Sequence, residues 1–398
     1  MNGDPYEKIL DTMREYPTGI PSNDGEVSEA FRAYIKLLFT PEEALIAAHL
    51  GIKPVSGGRI PQKIGLRLAN VRIIQKFAKK LSAAKIARKI HKGRKETMEI
   101  LEDMVDKGLI QDIGGYSHFL TVPHLLNIGF KYPKALERLG VKGAELYQQF
   151  FVQEKYYRRY QSSDAGTPMT RIVPIEKSID HRSTIRSSEE IHRILDQCPE
   201  PIVTTDCPCR NRTDILGIRE CRDKYPIHDS CFQIGAFGEY FLRRGQGRKL
   251  KREEAHQLVE RYAHLGLVFT TENTKDRNRF IICCCCECCC ALLRGMTRFE
   301  EKNDAFSAKA NYVAKVDPTL CKGCTLCVER CKFHAITFEN KRSSVNLERC
   351  YGCGVCAVTC PTQAVRLHRA ERSALYVDAI DLTDTIYREN TLRDDQEQ

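Results

Sequence analysis

The spacing of apolar residues predicts helices in the first third of the chain. Residues 27–50 carry a helical pattern. Thr40-Pro41-Glu42-Glu43 is a start signal within it, with a threonine N-cap, proline at the first helical position and acids in the first turn. Leu81 to Ile90 reads as a short amphipathic helix that Ser82 is placed to cap, broken at His91-Lys92-Gly93. A second helix is expected over residues 94–107, where Met98, Leu101, Met104 and Val105 recur at helical spacing and Gly108 is a C-terminal stop. The period then changes. Leu109 to Ile113 and Tyr116 to Val122 flank Gly114-Gly115, which predicts a β-hairpin. Residues 133–165 return to a helical pattern whose aromatics Tyr147, Phe150, Phe151, Tyr156, Tyr157 and Tyr160 are most simply core. Ser162 to Pro168 has linker composition. Beyond it, strands are expected at Thr170 to Ile175 and Leu267 to Thr271. Helices should start at Ser187 and run over Lys251 to His264, the latter closed by Gly266. Two late alternations, Ala335 to Phe338 and Ala364 to Leu367, read as return strands.

These elements describe an α+β multidomain chain. Residues 1–132 form a helical region whose helix, turn, helix, hairpin order is that of a winged helix. Residues 133–167 are a helical connector, 168–300 a cysteine-rich α+β domain, 316–368 a (βαβ)2 unit and 369–398 an acidic tail. Charge sharpens the first part. The net charge is +10, and 13 Lys and Arg fall between Arg59 and Lys95 with no Asp or Glu from Gly51 to Lys95. That asymmetry suggests a polyanionic or acidic partner, or simply a solvated helix face. The second helix carries Glu96, Glu99, Glu102 and Asp103. Such acidity suits a docking or structural role better than a place in the major groove, so DNA is the less favoured partner. No apolar run is long enough to span a bilayer, and the start lacks a signal-peptide pattern, which points to the cytoplasm.

In that compartment 20 cysteines mean metal ligands rather than disulfides. Cys321-x2-Cys324-x2-Cys327-x3-Cys331 is repeated as Cys350-x2-Cys353-x2-Cys356-x3-Cys360-Pro361. Structural zinc takes cysteine pairs set further apart. The copies agree outside the cysteines too, with Gly323 and Gly352 between the first two ligands of each run, where a tight turn is needed. Residues 316–368 resemble a bacterial-type 2×(4Fe-4S) ferredoxin domain. The resemblance implies one 4Fe-4S cluster on Cys321, Cys324, Cys327 and Cys360 and a second on Cys331, Cys350, Cys353 and Cys356. Lys332 stands where such a run usually ends in proline.

The middle domain has thiols of its own. Cys207-Pro208-Cys209-Arg210, Cys221 and Cys231 precede Cys283, Cys284, Cys285, Cys286, Cys288, Cys289 and Cys290, seven thiols within eight residues. Structural cysteines occur singly as small hydrophobes, as Cys198 does before Pro199. One zinc needs four ligands, fewer than these. We therefore expect at least one further iron–sulfur cluster. Residues 168–298 resemble a poorly characterised family of 4Fe-4S-binding proteins of anaerobes, through Cys207-Pro208-Cys209-Arg210, Gly266-Leu267-Val268 and Ile282 to Cys290. This chain has Cys284 where that family usually has Asn. The resemblance implies redox function in an anaerobe without naming a substrate. The expected role is electron transfer with a redox partner, either an oxidoreductase or a ferredoxin- or flavodoxin-like donor. An iron–sulfur-dependent regulator and a reductase acting at the middle cluster are the alternatives. No catalytic acid–base set or nucleotide loop is legible.

Overall fold

The computed structural model describes residues 3–394 apart from 17, 53–82, 113–117, 161, 164 and 300–306. The chain divides into two compact units. One is Met1–Tyr157 with Asn211–Ile218, and the other is Arg158–Arg210 with Arg219–Gln398.

The first unit contains helices Pro5–Arg14, Glu29–Leu38, Pro41–Ala47, Arg94–Asp106 and Pro133–Gln148, with a further helical segment at 83–89. Two small hairpins join them, β1 (Ser22–Asn23) with β2 (Glu26–Val27) and β3 (Ile110–Gln111) with β4 (Phe119–Leu120). The helical stretch over 27–50 forms two helices, the first capped by Ser28 and the second starting at the Thr40 signal. Leu81, Ser82, the Gly114-Gly115 turn and most of the basic stretch lie outside the described residues. The aromatics are core. Tyr34 meets Tyr147 at 6.0 Å and Phe150 at 5.5 Å, both edge-on. The acids of Arg94–Asp106 are engaged inside the unit, Glu96 by Lys92 and Asp103 by Lys107 and Lys134.

In the second unit six strands form an antiparallel sheet in the order β5-β9-β10-β7-β6-β8. They are β5 (Thr170–Val173), β6 (Ile202–Thr205), β7 (Cys231–Ile234), β8 (Arg248–Leu250), β9 (Val268–Glu272) and β10 (Ile281–Cys285). Val173, Ile202, Phe232, Phe269 and Ile282 line one face and pack under helices Ile191–Gln197 and Arg252–Leu265. β5 stops before Pro174, which cannot donate to the ladder. The helix expected from Ser187 begins instead at Ile191. Buried Glu190 is its N-cap, accepting from the amides of His192 and Arg193, so a carboxylate takes the role expected of serine.

The ferredoxin-like part belongs to this same unit. β11 (Tyr312–Val316) pairs with β14 (Val365–Arg369), and β12 (Ile336–Glu339) with β13 (Arg342–Val345). Short helices Leu326–Arg330 and Val355–Val358 lie within the two cysteine runs and carry Cys327 and Cys356. The Asp180 amide donates to the Leu367 carbonyl at 2.8 Å, and Arg366 donates to the Lys177 carbonyl at 2.5 Å. Arg330 donates to the His264 carbonyl at 2.7 Å, at the C-terminal end of Arg252–Leu265, where a cation is favoured. Among the described residues no helix is long and apolar enough to cross a membrane.

Glu43 is the buried anchor of the first unit. It closes a capping box with Thr40 and is held by Lys107 and Arg138. Burial pushes its carboxyl up, but Arg138, Lys107 and the Thr40 amide outweigh burial and hold it below the ordinary carboxylate range. A depressed carboxylate contributes stability above its unfolded pKa and loses it as pH falls through the folded one. Glu43→Ala should therefore cost about 3 kcal/mol at neutral pH, read by denaturant unfolding. The difference from wild type should shrink as the pH is lowered below the ordinary carboxylate range.

Candidate metal centres

The ferredoxin-like thiols fall into two groups. Cys331, Cys350, Cys353 and Cys356 line one cavity together with Phe333, Tyr351 and Leu367. Burial pushes the Cys353 thiol up to about 12, and the nearby Cys331 and Cys350 add to it. The Ala314 amide donates to Cys350 Sγ at 3.5 Å and the Ala335 amide to Cys331 Sγ at 3.2 Å. Amides aimed at sulfur favour the thiolate, the form a metal takes. In the other run Cys324 is exposed and Cys321 partly so, while buried Cys327 feels the charge of Cys360 and accommodates a 3.3 Å contact to Ser343 Oγ. Cys331 therefore sits in one cavity with three thiols of the opposite run, and positive φ at Gly323 (φ +67) and Gly352 (φ +70) tightens the turn of each run.

The middle domain brings a different set together. Cys221, Cys286, Cys288 and Cys289 are all buried, with sulfurs within 4.8 Å of one another. Cys288 and Cys289 are 3.5 Å apart, and Cys221 lies 3.6 Å from Cys289 and 4.0 Å from Cys286. Cys286 is held far below the ordinary thiol range by hydrogen bonds from Cys221, Cys288 and Cys289, with the Arg210 guanidinium adding to the effect. Four convergent buried thiols around one acidic thiolate fit a thiophilic metal centre.

The other expected ligands are placed differently. Cys284 points into the apolar core beside Ile282, and burial pushes its thiol up. Cys231 accepts a hydrogen bond from Gln233 Nε2 at 3.1 Å. Cys207, Cys209, Cys283, Cys285 and Cys290 stand outside the four-thiol group. Cys198 lies in the core, donates to the Leu195 carbonyl at 3.3 Å and is pushed up to about 11 by burial.

Two residues carry more than the sequence suggested. Glu287, inside the cysteine run, accepts a 2.7 Å hydrogen bond from Lys332 Nζ, and Tyr225 lies beneath that ammonium at 5.7 Å. The signals available were an acid interrupting seven thiols and a lysine replacing a proline. Neither signal names its partner, because the pair joins positions far apart in sequence.

The 4Fe-4S dicluster domain family matches residues 320–364, about a tenth of the chain. No curated protein and no solved structure matches it. The chain thus carries a dicluster domain and a cysteine cluster in its middle, features of iron–sulfur electron transfer.

The two turn glycines should respond unequally to substitution. A Cβ on Gly352 would lie 2.2 Å from the Tyr312 carbonyl oxygen, whereas one on Gly323 would meet the Phe338 ring and the Lys341 carbonyl at 3.2 Å. Gly352→Ala should lower iron and acid-labile sulfide in anaerobically purified protein by about four per chain. Gly323→Ala should lose less.

Proposed function

We propose that the chain is an electron-transfer protein in which a ferredoxin-type unit exchanges electrons with a further iron–sulfur centre on Cys221, Cys286, Cys288 and Cys289. The Lys332–Glu287 pair carries this reading. Lys332 directly follows Cys331, a thiol of the inner ferredoxin group, and Glu287 stands between Cys286 and Cys288. A single ion pair therefore spans the two thiol sites. Its lysine side chain is 7% exposed and its glutamate 21%, so solvent screens it little. Burial works against the ammonium, but Glu287 and Tyr225 outweigh burial and raise its pKa, so it stays charged at neutral pH.

Each cluster, when bound, supplies a one-electron couple whose potential follows charge, hydrogen bonds to sulfur and exposure. The residues set a gradient of access. Cys324 is exposed, and Leu320 and Leu326 beside it are exposed large hydrophobics. That rim favours docking of a redox partner, an oxidoreductase or a ferredoxin- or flavodoxin-like donor. The inner ferredoxin thiols are more enclosed, and the middle four are all buried. Thiols open to a partner at one end and shielded at the other suit a conduit that ends at a protected site.

Lys332→Met tests the reading because it removes the charge and keeps the stem. The remaining Glu287 carboxylate would disfavour the more negative reduced state, so the midpoint of the inner ferredoxin cluster should move negative by roughly tens of millivolts. After rapid reduction by dithionite, freeze-quench EPR should show the middle-domain signal filling several-fold more slowly than in wild type. Unchanged potential and unchanged filling would contradict the proposed contact, and no middle-domain signal at all would contradict the centre itself.

A further inference from the structure

Cys283, Cys284, Cys285 and Cys286 are consecutive, and Cys283 to Cys285 close strand β10. Successive side chains on a strand point to opposite faces of the sheet. Ile282 and Cys284 face the apolar core, and that core also takes in Cys221, Cys286, Cys288 and Cys289. Cys283 and Cys285 belong to the other face. Cys283 pairs across to Cys231 on β7 and to Thr270 on β9, and Cys285 Sγ lies 3.4 Å from Thr270 Oγ1.

Further thiols join Cys285 in a chain. Cys285 hydrogen-bonds with Cys283 and Cys290, Cys290 with Cys209, and Cys209 with Cys207. None of these belongs to the four-thiol group. Backbone amides reach their sulfurs: Ala291 donates to Cys209 Sγ at 3.5 Å and Leu292 to Cys290 Sγ at 3.3 Å.

Arg210 stands between the sets. Its side chain is fully buried and fixed by the Pro226 carbonyl at 2.7 Å, Ser230 Oγ at 2.8 Å and the Cys284 carbonyl at 2.5 Å. Cys207 and Cys286, one thiol from each set, both lie near its charge. A buried guanidinium needs negative charge close by. Cluster-bound thiolates of both sets would supply it.

We propose that the middle domain holds a second, separate iron–sulfur cluster on the opposite face of β10, ligated from Cys207, Cys209, Cys285 and Cys290, with Cys283 at its edge and Arg210 shared with the four-thiol centre. The inference rests on the reading that the four-thiol group holds a cluster, and adds a site to it.

The test is metal and sulfide analysis with Mössbauer spectroscopy on the full-length chain, purified anaerobically. Wild type should carry about sixteen iron, four cubanes' worth. Cys209→Ser/Cys285→Ser should lose about four, and Cys221→Ser/Cys288→Ser a different four, each leaving the ferredoxin signals intact. Retained ferredoxin iron shows that each variant has folded. If the first variant fails to fold, the single Cys290→Ser replaces it, and the number of distinct clusters in wild type decides independently. Loss of the same iron from both double variants, zinc in place of the second cluster, or no loss from the first would overturn the inference while leaving the four-thiol centre standing. No loss from either would defeat the proposed function as well.

Discussion

Side chains on a strand alternate between the faces of its sheet, and in this chain that constraint falls on Cys283, Cys284 and Cys285, with Cys286 directly after the strand. Cys284 and Cys286 turn to the apolar face with Cys221, Cys288 and Cys289, while Cys283 and Cys285 turn to the face of Cys231 and Thr270. A run of thiols that looks like one ligand supply in sequence is thereby divided by the pleat. The antiparallel register fixes the division. A slip of one residue at the Cys283 pairing would exchange the two faces.

Such thiols are useful only as thiolates, and buried thiolates need compensation. The structure meets that need with cations held in place by the fold. Arg210 is fixed by two carbonyls and a hydroxyl between the middle-domain sulfurs, and Lys332 by Glu287 and Tyr225 beside Cys331. Backbone amides on Cys350, Cys331, Cys209 and Cys290 act in the same direction. The contact between Lys332 and Glu287 also replaces a proline's rigidity with a link to the neighbouring domain. Lys332 is thus both a local departure from the ferredoxin pattern and the point at which the two thiol sites meet.

Much of this was legible beforehand because it is local. The thiol spacing of the two ferredoxin runs reflects a loop geometry that permits few alternatives, and residues 320–364 match the dicluster family. Helix ends at Thr40 and Gly266 were readable from capping chemistry that acts over a few residues. The misplaced start of helix Ile191–Gln197 shows the limit of that logic, since Ser187 is as good a cap as Glu190 until the 2.8 Å bond from the Glu176 amide to Glu190 is known. The partition of the middle thiols was legible only in part, since consecutive cysteines on an extended chain alternate in direction and Arg210 stands next to Cys209 in the sequence. Which thiols join each side depends on the strands beside β10, which leave no trace in spacing.

The central claim is that the middle-domain thiols hold a redox centre in contact with the ferredoxin-like unit. Potentiometric EPR on the anaerobically purified, full-length protein addresses it most directly. The account predicts signals beyond those of two ferredoxin clusters, with magnetic coupling between the additional centre and the inner ferredoxin cluster that is lost in Cys221→Ser/Cys288→Ser. A spectrum accounted for by two ferredoxin clusters alone, unchanged by that substitution, would contradict it.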